Sequence, residues 1–414
     1  MLYNIIMDRI ILHCDMNGFF ASVELIDHPE LKNMPMAVCG DPESRHGIIL
    51  AKNENAKKYG VTTAETIWHA RQKCPGLQCV PPHMEKYKKY SRLINDIYAR
   101  YTDMVEPFSI DESWLDISAS LKLFRLSGKE IADDIRKTVR EELGLTLSAG
   151  VSFNKIFAKM GSEYKKPDAT TVISRENYRS ILWPLPAGDL FFVGSVSAGK
   201  LSNAGITTIG ELAQADRDHL VCLLGKQGGI IKDYANGNDD SPVCRACERD
   251  KIKSVGNGIT FRRDISGEKE IITAVKGLSD KVAGRLRKYE MKARGVKIDI
   301  KDPSFKVMTR QKQLDAPSNI SGEISQAAMQ MLRASWDVGK PLRLLTLTCI
   351  NLCPENEEEQ LSIFRSDSSI REKNEKIERT MDDIRSRYGS KAINFGRVVN
   401  NDIGFSLDRQ DEEE

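Results

Sequence analysis

The sequence predicts an α+β protein of several domains, and three observations carry that prediction. At 414 residues the chain is longer than one ordinary domain, and a 40 % hydrophobic content is enough to fill about two to four cores. Strand-like and helix-like runs alternate over residues 9–166 and again over 252–350. Between them, residues 168–243 break into short helices punctuated by glycine.

The elements follow in order. "RIILHCD", residues 9–15, is a buried strand ending in an acid, and "FFASVELI" begins a helix. "MPMAVCG" and "HGIILAKN" are two further strands. "NENAKKYG" reads as a helix stopped by Gly60, and "TTAETIWHARQKCPG" as a second, ended by Pro75-Gly76. Tyr90, Leu93, Ile94, Ile97 and Tyr101 recur at helical spacing. "FSIDESWLDI", residues 108–117, has strand chemistry, being aromatic and branched without Gly or Pro. "GKEIADDIRKTVREELG" is an amphipathic helix, "LTLSAGVS" a strand, and "NKIFAKMGSEYKKP" a helix closed by Pro167. This is a β-α-β-β-α-β order with an insertion after the first helix. In the second alternating stretch, strands at "KSVGNGITF", "RGVKIDIKD", "KVMTRQKQL" and "LRLLTLTCI" surround helices over 268–289 and 321–336. A charged linker, "PENEEEQ", leads to a polar helix over 366–388.

The formal charge of +2 conceals an asymmetry. Residues 244–350 hold 22 Lys/Arg against 12 Asp/Glu, whereas residues 351–414 hold 10 against 16. A basic domain before an acidic stretch predicts a polyanionic partner and a separate recruitment segment. No run reaches membrane-spanning length, and "MLYNIIMDRIILHCD" is too short and too charged for a secretory leader. Nine cysteines without a leader predict reduced thiols in a cytoplasmic protein. The pairs Cys244/Cys247 and Cys349/Cys353 have short spacings but no histidine nearby, so free thiols are expected rather than zinc.

Asp111 and Glu112 place two negative charges in an apolar run. Neighbours in a regular strand point to opposite faces, so the two share a target only near a bend or a strand end. Buried carboxylates cost several kcal/mol unless hydrogen bonds or cations match them. Asp15 ends another strand of the same proposed domain. Three carboxylates gathered on one sheet suit hard divalent cations and phosphoryl transfer.

The stretches "CDMNGFFASVE" and "VEPFSIDESWLDIS" resemble the two acidic motifs of Y-family DNA polymerases, in their bacterial DinB-like branch. The likeness continues through "GVSFNKIFAKMGSEYKKP", "GITTIGELAQ", "NGNDDSPV" and "KSVGNGITF", in the right order over residues 9–350. The resemblance implies a right-hand polymerase. Residues 1–22 and 81–166 would form a ferredoxin-like palm and 23–80 small fingers. Residues 167–243 would form a helical, helix-hairpin-helix-like thumb and 244–350 an α+β little finger. Residues 351–414 would remain as an acidic tail. It implies low-fidelity, translesion copying of primer-template DNA from dNTPs, by a monomer acting in DNA damage tolerance.

By the same resemblance, two Mg²⁺ (with Mn²⁺ as a substitute) are held by Asp15, Asp111, Glu112 and the backbone carbonyl of Met16. Asp15 and Asp111 would bridge both ions, and Glu112 would hold the one nearer the primer terminus. Phe19, Phe20, Lys57 and Lys159 fall at nucleotide-binding positions. Phe20 is the steric gate, whose ring meets a 2′-hydroxyl, and backbone N–H groups over 17–20 face the phosphates. Two departures stand out. Glu54 and Lys57, in "LAKNENAKKYG", replace a Tyr and an Arg, and a carboxylate cannot donate to phosphate. Phe192 stands where the thumb hairpin commonly has its first glycine. Lys253, Arg262, Arg263, Arg285, Lys297 and Arg310 are candidate phosphate contacts. "QLSIF" resembles peptides that dock on the bacterial sliding clamp through Gln360, Leu361, Ile363 and Phe364. The alternatives are a catalytically weak DNA-binding scaffold, for which Glu54 speaks, and a nucleotide cyclase on the same palm.

Overall fold

The structure, a computed structural model, describes residues 9–40, 47–245, 252–357, 368–399 and 401–404. It divides into two compact units, with described residues 9–40 and 47–245 in the first and 252–404 in the second.

The strands of the first unit are β1 (Ile11–Met16), β2 (Met36–Cys39), β3 (Ile49–Lys52), β4 (Gln78–Val80), β5 (Val105–Pro107), β6 (Glu112–Asp116), β7 (Leu147–Ser152) and β8 (Thr170–Ile173). They form a five-stranded sheet, β5-β6-β1-β7-β8, and a three-stranded one, β3-β2-β4. Alternation along β1 divides the larger sheet's surroundings. Leu12, Cys14 and Met16 join a core with Tyr87, Ile94, Ile97, Ile131, Ile135 and Val139 from the helices Met84–Tyr98 and Gly128–Leu143. Ile11 and His13 face the other way, against the helix Lys155–Tyr164, where Ile11 packs with Trp114 and Ala158.

That helix lies very close to the sheet because two glycines meet. A Cβ on Gly150 of β7 would stand 1.9 Å from the carbonyl oxygen of Ala158 and 2.5 Å from the amide of Ser162. A Cβ on Gly161 would come within 3.0 Å of the Gly150 Cα. Gly150→Ala is therefore expected to lever the helix outward and to destabilise the first unit by about 2 kcal/mol or more. Calorimetry of the full chain measures this.

The structure corrects the sequence reading in three places here. The run 108–117 is not one strand: residues 108–111 form the loop of a β5–β6 hairpin, with the Phe108 N–H donating to the Glu112 carbonyl at 2.8 Å. Phe108 is half exposed, since it lies on the turn. Residues 170–173, read within a helical stretch, are the fifth strand and pair in parallel with β7. Residues 78–80 form a short strand parallel to β2. The rest of the stretch 178–235 is helical, as the glycine punctuation predicts. Phe192 adopts φ +73°, so a bulky residue takes a conformation that glycine holds without cost.

The second unit repeats the β-α-β-β-α-β order. β9 (Ser254–Ile265), β10 (Met291–Lys301), β11 (Val307–Ser318) and β12 (Leu342–Pro354) form an antiparallel sheet in the order β11-β10-β12-β9. The helices Glu268–Lys288 and Ser321–Ser335 cover one face, over Val296, Ile298, Ile300, Leu345 and Leu347. The acidic stretch is not a detached tail throughout. The helix Ser368–Tyr388 packs on the second unit, where Arg287 reaches Asp382 at 2.6 Å and also binds Glu378, and Arg385 reaches Asp280 at 2.8 Å. Val398 and Ile403 then return to the core.

Candidate active site

β1 and β6 run antiparallel with Asp15 directly opposite Glu112, so the two side chains share a face. The Gly150–Gly161 contact brings Glu163, in the last turn of the helix Lys155–Tyr164, to the same place. Carboxylate oxygens of Asp15, Glu112 and Glu163 lie within 4.8 Å of one another. Asp111 sits beside this cluster. It ends the hairpin loop, its carbonyl accepts from the Met16 N–H at 3.1 Å, and Ser109 donates to its Oδ1 at 2.7 Å. Because Asp111 precedes the strand, alternation along β6 does not bind it to either face.

Cations already attend the carboxylates. Lys159 Nζ lies 2.7 Å from Glu112 Oε2. Lys166 Nζ lies 2.8 Å from Asp15 Oδ2 and 2.9 Å from Glu163 Oε1. Burial pushes the Asp15 carboxyl up to about 8 in spite of Lys166. Burial raises Asp111 as well. Burial acts the same way on Glu112, but the nearby His13 and the hydrogen-bonded Lys159 outweigh it and hold Glu112 down to about 2. His13 is fully buried, and burial lowers its pKa to about 4, so the imidazole is neutral at physiological pH. Its Nδ1 lies 2.7 Å from Ser162 Oγ, and its Nε2 faces Glu112 Oε2 at 3.6 Å. The donors are hard carboxylate oxygens, with positive charge already seated among them, a set that fits magnesium or manganese.

Phe19 is buried in the core, whereas Phe20 is partly exposed and stacks on Tyr87 at 4.1 Å with an 11° tilt. Tyr87 is fixed in turn: its hydroxyl donates to the buried Glu24, which also meets His83 at 3.0 Å. The Asn17 N–H is not available to a phosphate, because it donates to the Thr146 carbonyl at 2.9 Å. The first-turn amides from Phe19 onward have no intrahelical acceptor. Lys57 and Glu54 are both exposed and lie 3.8 Å apart, and Lys52 bonds Thr63 at 3.1 Å. Glu163, Lys166 and His13 were not singled out from sequence. For Glu163 a signal existed, since it lies four residues after Lys159 on one helical face.

In the second unit the sheet face away from the helices carries a row of polar side chains. Lys297, Asp299, Lys301, Thr346, Thr348, Thr309 and Gln311 fall in register on it, with Gly256 and Gly258 opposite Thr348 and Thr346. Of the six basic candidates, Lys297 lies on this face, 3.4 Å from Asp299. Arg310 pairs with Ile298 and so belongs to the other row of the edge strand. Arg285 is on a helix and donates to the Gly256 carbonyl at 3.0 Å. Arg263 is bridged to Glu270 and to Asp402. Arg262 is exposed, with its N–H directed to the Ile403 carbonyl at 3.4 Å, and Lys253 is exposed just before β9. The clamp-like peptide 360–364 and Cys247 lie outside the described residues; Cys244, Cys349 and Cys353 are free thiols. Among the described residues no helix is long and apolar enough to cross a membrane.

The architecture is that of a Y-family polymerase: a chimeric Y-family DNA polymerase of known structure superposes with a TM-score of 0.73 at 22 % identity, over 83 % of this chain and 99 % of that one. The impB/mucB/samB family matches residues 14–163, and the C-terminal domain of that family matches residues 252–363. A DNA polymerase IV from Acetivibrio thermocellus is 44 % identical over 95 % of this chain and 98 % of its own length. One from Clostridium kluyveri is 39 % identical over 95 % and 99 %, and DNA polymerase IV 1 of Bacillus subtilis is 36 % identical over 94 % and 93 %. The chain therefore belongs to the impB/mucB/samB family of Y-family DNA polymerases, in its DNA polymerase IV branch.

Proposed function

We propose that this protein is a DNA-directed DNA polymerase of the translesion type, adding nucleotides from dNTPs to a primer 3′-hydroxyl with release of pyrophosphate. The observation that supports this reading most is the meeting of Asp15, Glu112 and Glu163 at one end of the sheet, with Asp111 at its rim. Asp15, Asp111, Glu112 and the Met16 carbonyl would hold two Mg²⁺. Bound there, the ions supply activation of the attacking hydroxyl and neutralisation of the leaving pyrophosphate. The chain's own residues orient and balance charge. Neutral His13 directs Nε2 at Glu112, and Lys159 holds the second side of that carboxylate. Phe20, braced on Tyr87, forms the floor for the sugar. Lys57 supplies charge to the triphosphate without the fork of an arginine.

The division into palm, fingers, thumb and little finger at the boundaries given above is part of the proposal. The polar face around Lys297 would lie along DNA, with backbone contacts that carry no sequence information. The segment 360–364 would dock on the bacterial sliding clamp; deleting it is expected to abolish clamp binding and leave clamp-free synthesis unchanged. Action as a monomer in the cytoplasm accords with this reading.

Primer extension tests the whole reading. Incorporation dictated by the template base, dependent on Mg²⁺ and stopped by chelation, is expected. Tight DNA binding without incorporation would favour the scaffold, and cyclic nucleotide release without a template would favour the cyclase. Phe20→Ala is expected to raise ribonucleotide insertion by at least about tenfold relative to deoxynucleotide, read as the ratio of kcat/KM values.

A further inference from the structure

Lys166 follows the helix that carries Glu163, and its ammonium bridges two of the three clustered carboxylates, at 2.8 Å from Asp15 and 2.9 Å from Glu163. The backbone just beyond it is pinned. The Asp168 N–H donates to Asn17 Oδ1 at 2.8 Å, and the Asp168 carboxylate accepts from Arg136 at 2.8 Å and is also bound by Arg140. The four-carbon side chain of Lys166 is thus the adjustable part, and it is about a quarter exposed, so it has a way out to solvent. An ammonium and a divalent ion cannot share the same carboxylate oxygens. A metal ion taking up the Asp15 carboxylate must compete with Lys166 for it, and a nucleotide's phosphates offer the displaced ammonium a new anionic partner.

We propose that Lys166 is a built-in placeholder cation. It occupies the Asp15–Glu163 side of the cluster in the resting protein, weakens binding of a divalent ion on its own, and releases the carboxylates when nucleotide arrives. The inference rests on the reading of the cluster as a metal site. It adds that affinity for metal and affinity for nucleotide are linked through one lysine, a reciprocal coupling of the kind that typically spans about 5–150-fold.

The test uses the full chain and Mn²⁺, with free Mn²⁺ followed by paramagnetic resonance, without DNA and with or without dNTP. Lys166→Gln is expected to bind Mn²⁺ about tenfold more tightly than wild type in the absence of nucleotide. The tightening that dNTP brings to the wild type is expected to shrink in the variant. Lys166→Arg, which keeps the charge, is expected to behave like wild type, and this separates the placeholder from a general loss of folding. Mn²⁺ bound through Asp15, as shown by its loss in Asp15→Asn, but no more tightly in Lys166→Gln, would overturn this inference alone. Mn²⁺ bound equally by wild type and Asp15→Asn would remove the metal reading and the inference with it.

Discussion

Asp15→Asn is expected to lower the rate of nucleotide addition by on the order of 10³-fold while leaving primer-template affinity within about twofold. Asn keeps the size and one hydrogen-bonding oxygen but cannot ionise when a cation binds, and the position is central to the cluster: Asp15 stands opposite Glu112 and is joined through Lys166 to Glu163. The loss should fall on kcat, because the interaction matters most where charge moves in the transition state. Glu112→Gln is expected to fail similarly. It also leaves Lys159 and His13 without the carboxylate they face, so its folding requires a separate check. Single-turnover incorporation together with a DNA-binding isotherm separates these effects. Equal activity in Asp15→Asn would displace the chemistry from this end of the sheet.

Arg287→Ala should strongly destabilise the second unit. Arg287 is almost fully buried and donates to the Asn319 carbonyl at 2.7 Å; it also holds Glu378 and Asp382 of the C-terminal helix. Glu378, itself buried, accepts from the Ser321 N–H at 3.0 Å and from the Ser321 hydroxyl at 2.6 Å. Removing the guanidinium leaves a buried carboxylate without its counter-charge, which costs about 3–5 kcal/mol. The calorimetric transition of that unit should fall by roughly 10 °C, and the helix Ser368–Tyr388 should become open to protease. Arg287→Lys is expected to recover part of the loss, since one ammonium cannot make the same fork of contacts. An unchanged transition would mean that the helix is not anchored there.

The same network shows why charge counting along the chain misled. Residues 244–350 read as a free basic surface and residues 351–414 as a separate acidic tail. In the fold, Arg287, Arg263 and Arg294 are matched by Glu378 and Asp382, Asp402 and Glu357 respectively. Part of the positive excess is thus neutralised within the unit, and the polyanion-facing charge is smaller than the sum suggests. Opposite signs in adjacent segments can mean pairing as readily as separate partners, and only tertiary contacts distinguish the two.

Other features were legible because they are local. The strand of Asp15, the capped helix Gly128–Leu143 and the alternating order of the second unit follow from period and punctuation. Asp111 and Glu112 do stand at a strand end, because the loop 108–111 closes just before β6. What the sequence could not disclose is long-range or short. β8 is four residues, Thr-Thr-Val-Ile, whose sequence shows no polar–apolar alternation, and β4 is three. Glu163 shares a helical face with Lys159, but the glycine contact that brings that helix, and Lys166 after it, against the strand is a relation no spacing encodes. Lys159, expected to meet phosphate, is bonded to Glu112, with its ammonium over the Phe108 and Phe191 rings at 5.5 and 5.1 Å.

The central claim is that two divalent ions sit among Asp15, Asp111 and Glu112 when substrate is bound. Anomalous scattering from Mn²⁺ in crystals of the chain with primer-template DNA and a non-hydrolysable dNTP tests it most directly. The account predicts two peaks about 3.5–4 Å apart, ringed by oxygens of those three residues and of the triphosphate. Peaks on other side chains, or an ordered nucleotide with no ion beside Asp15, would contradict it.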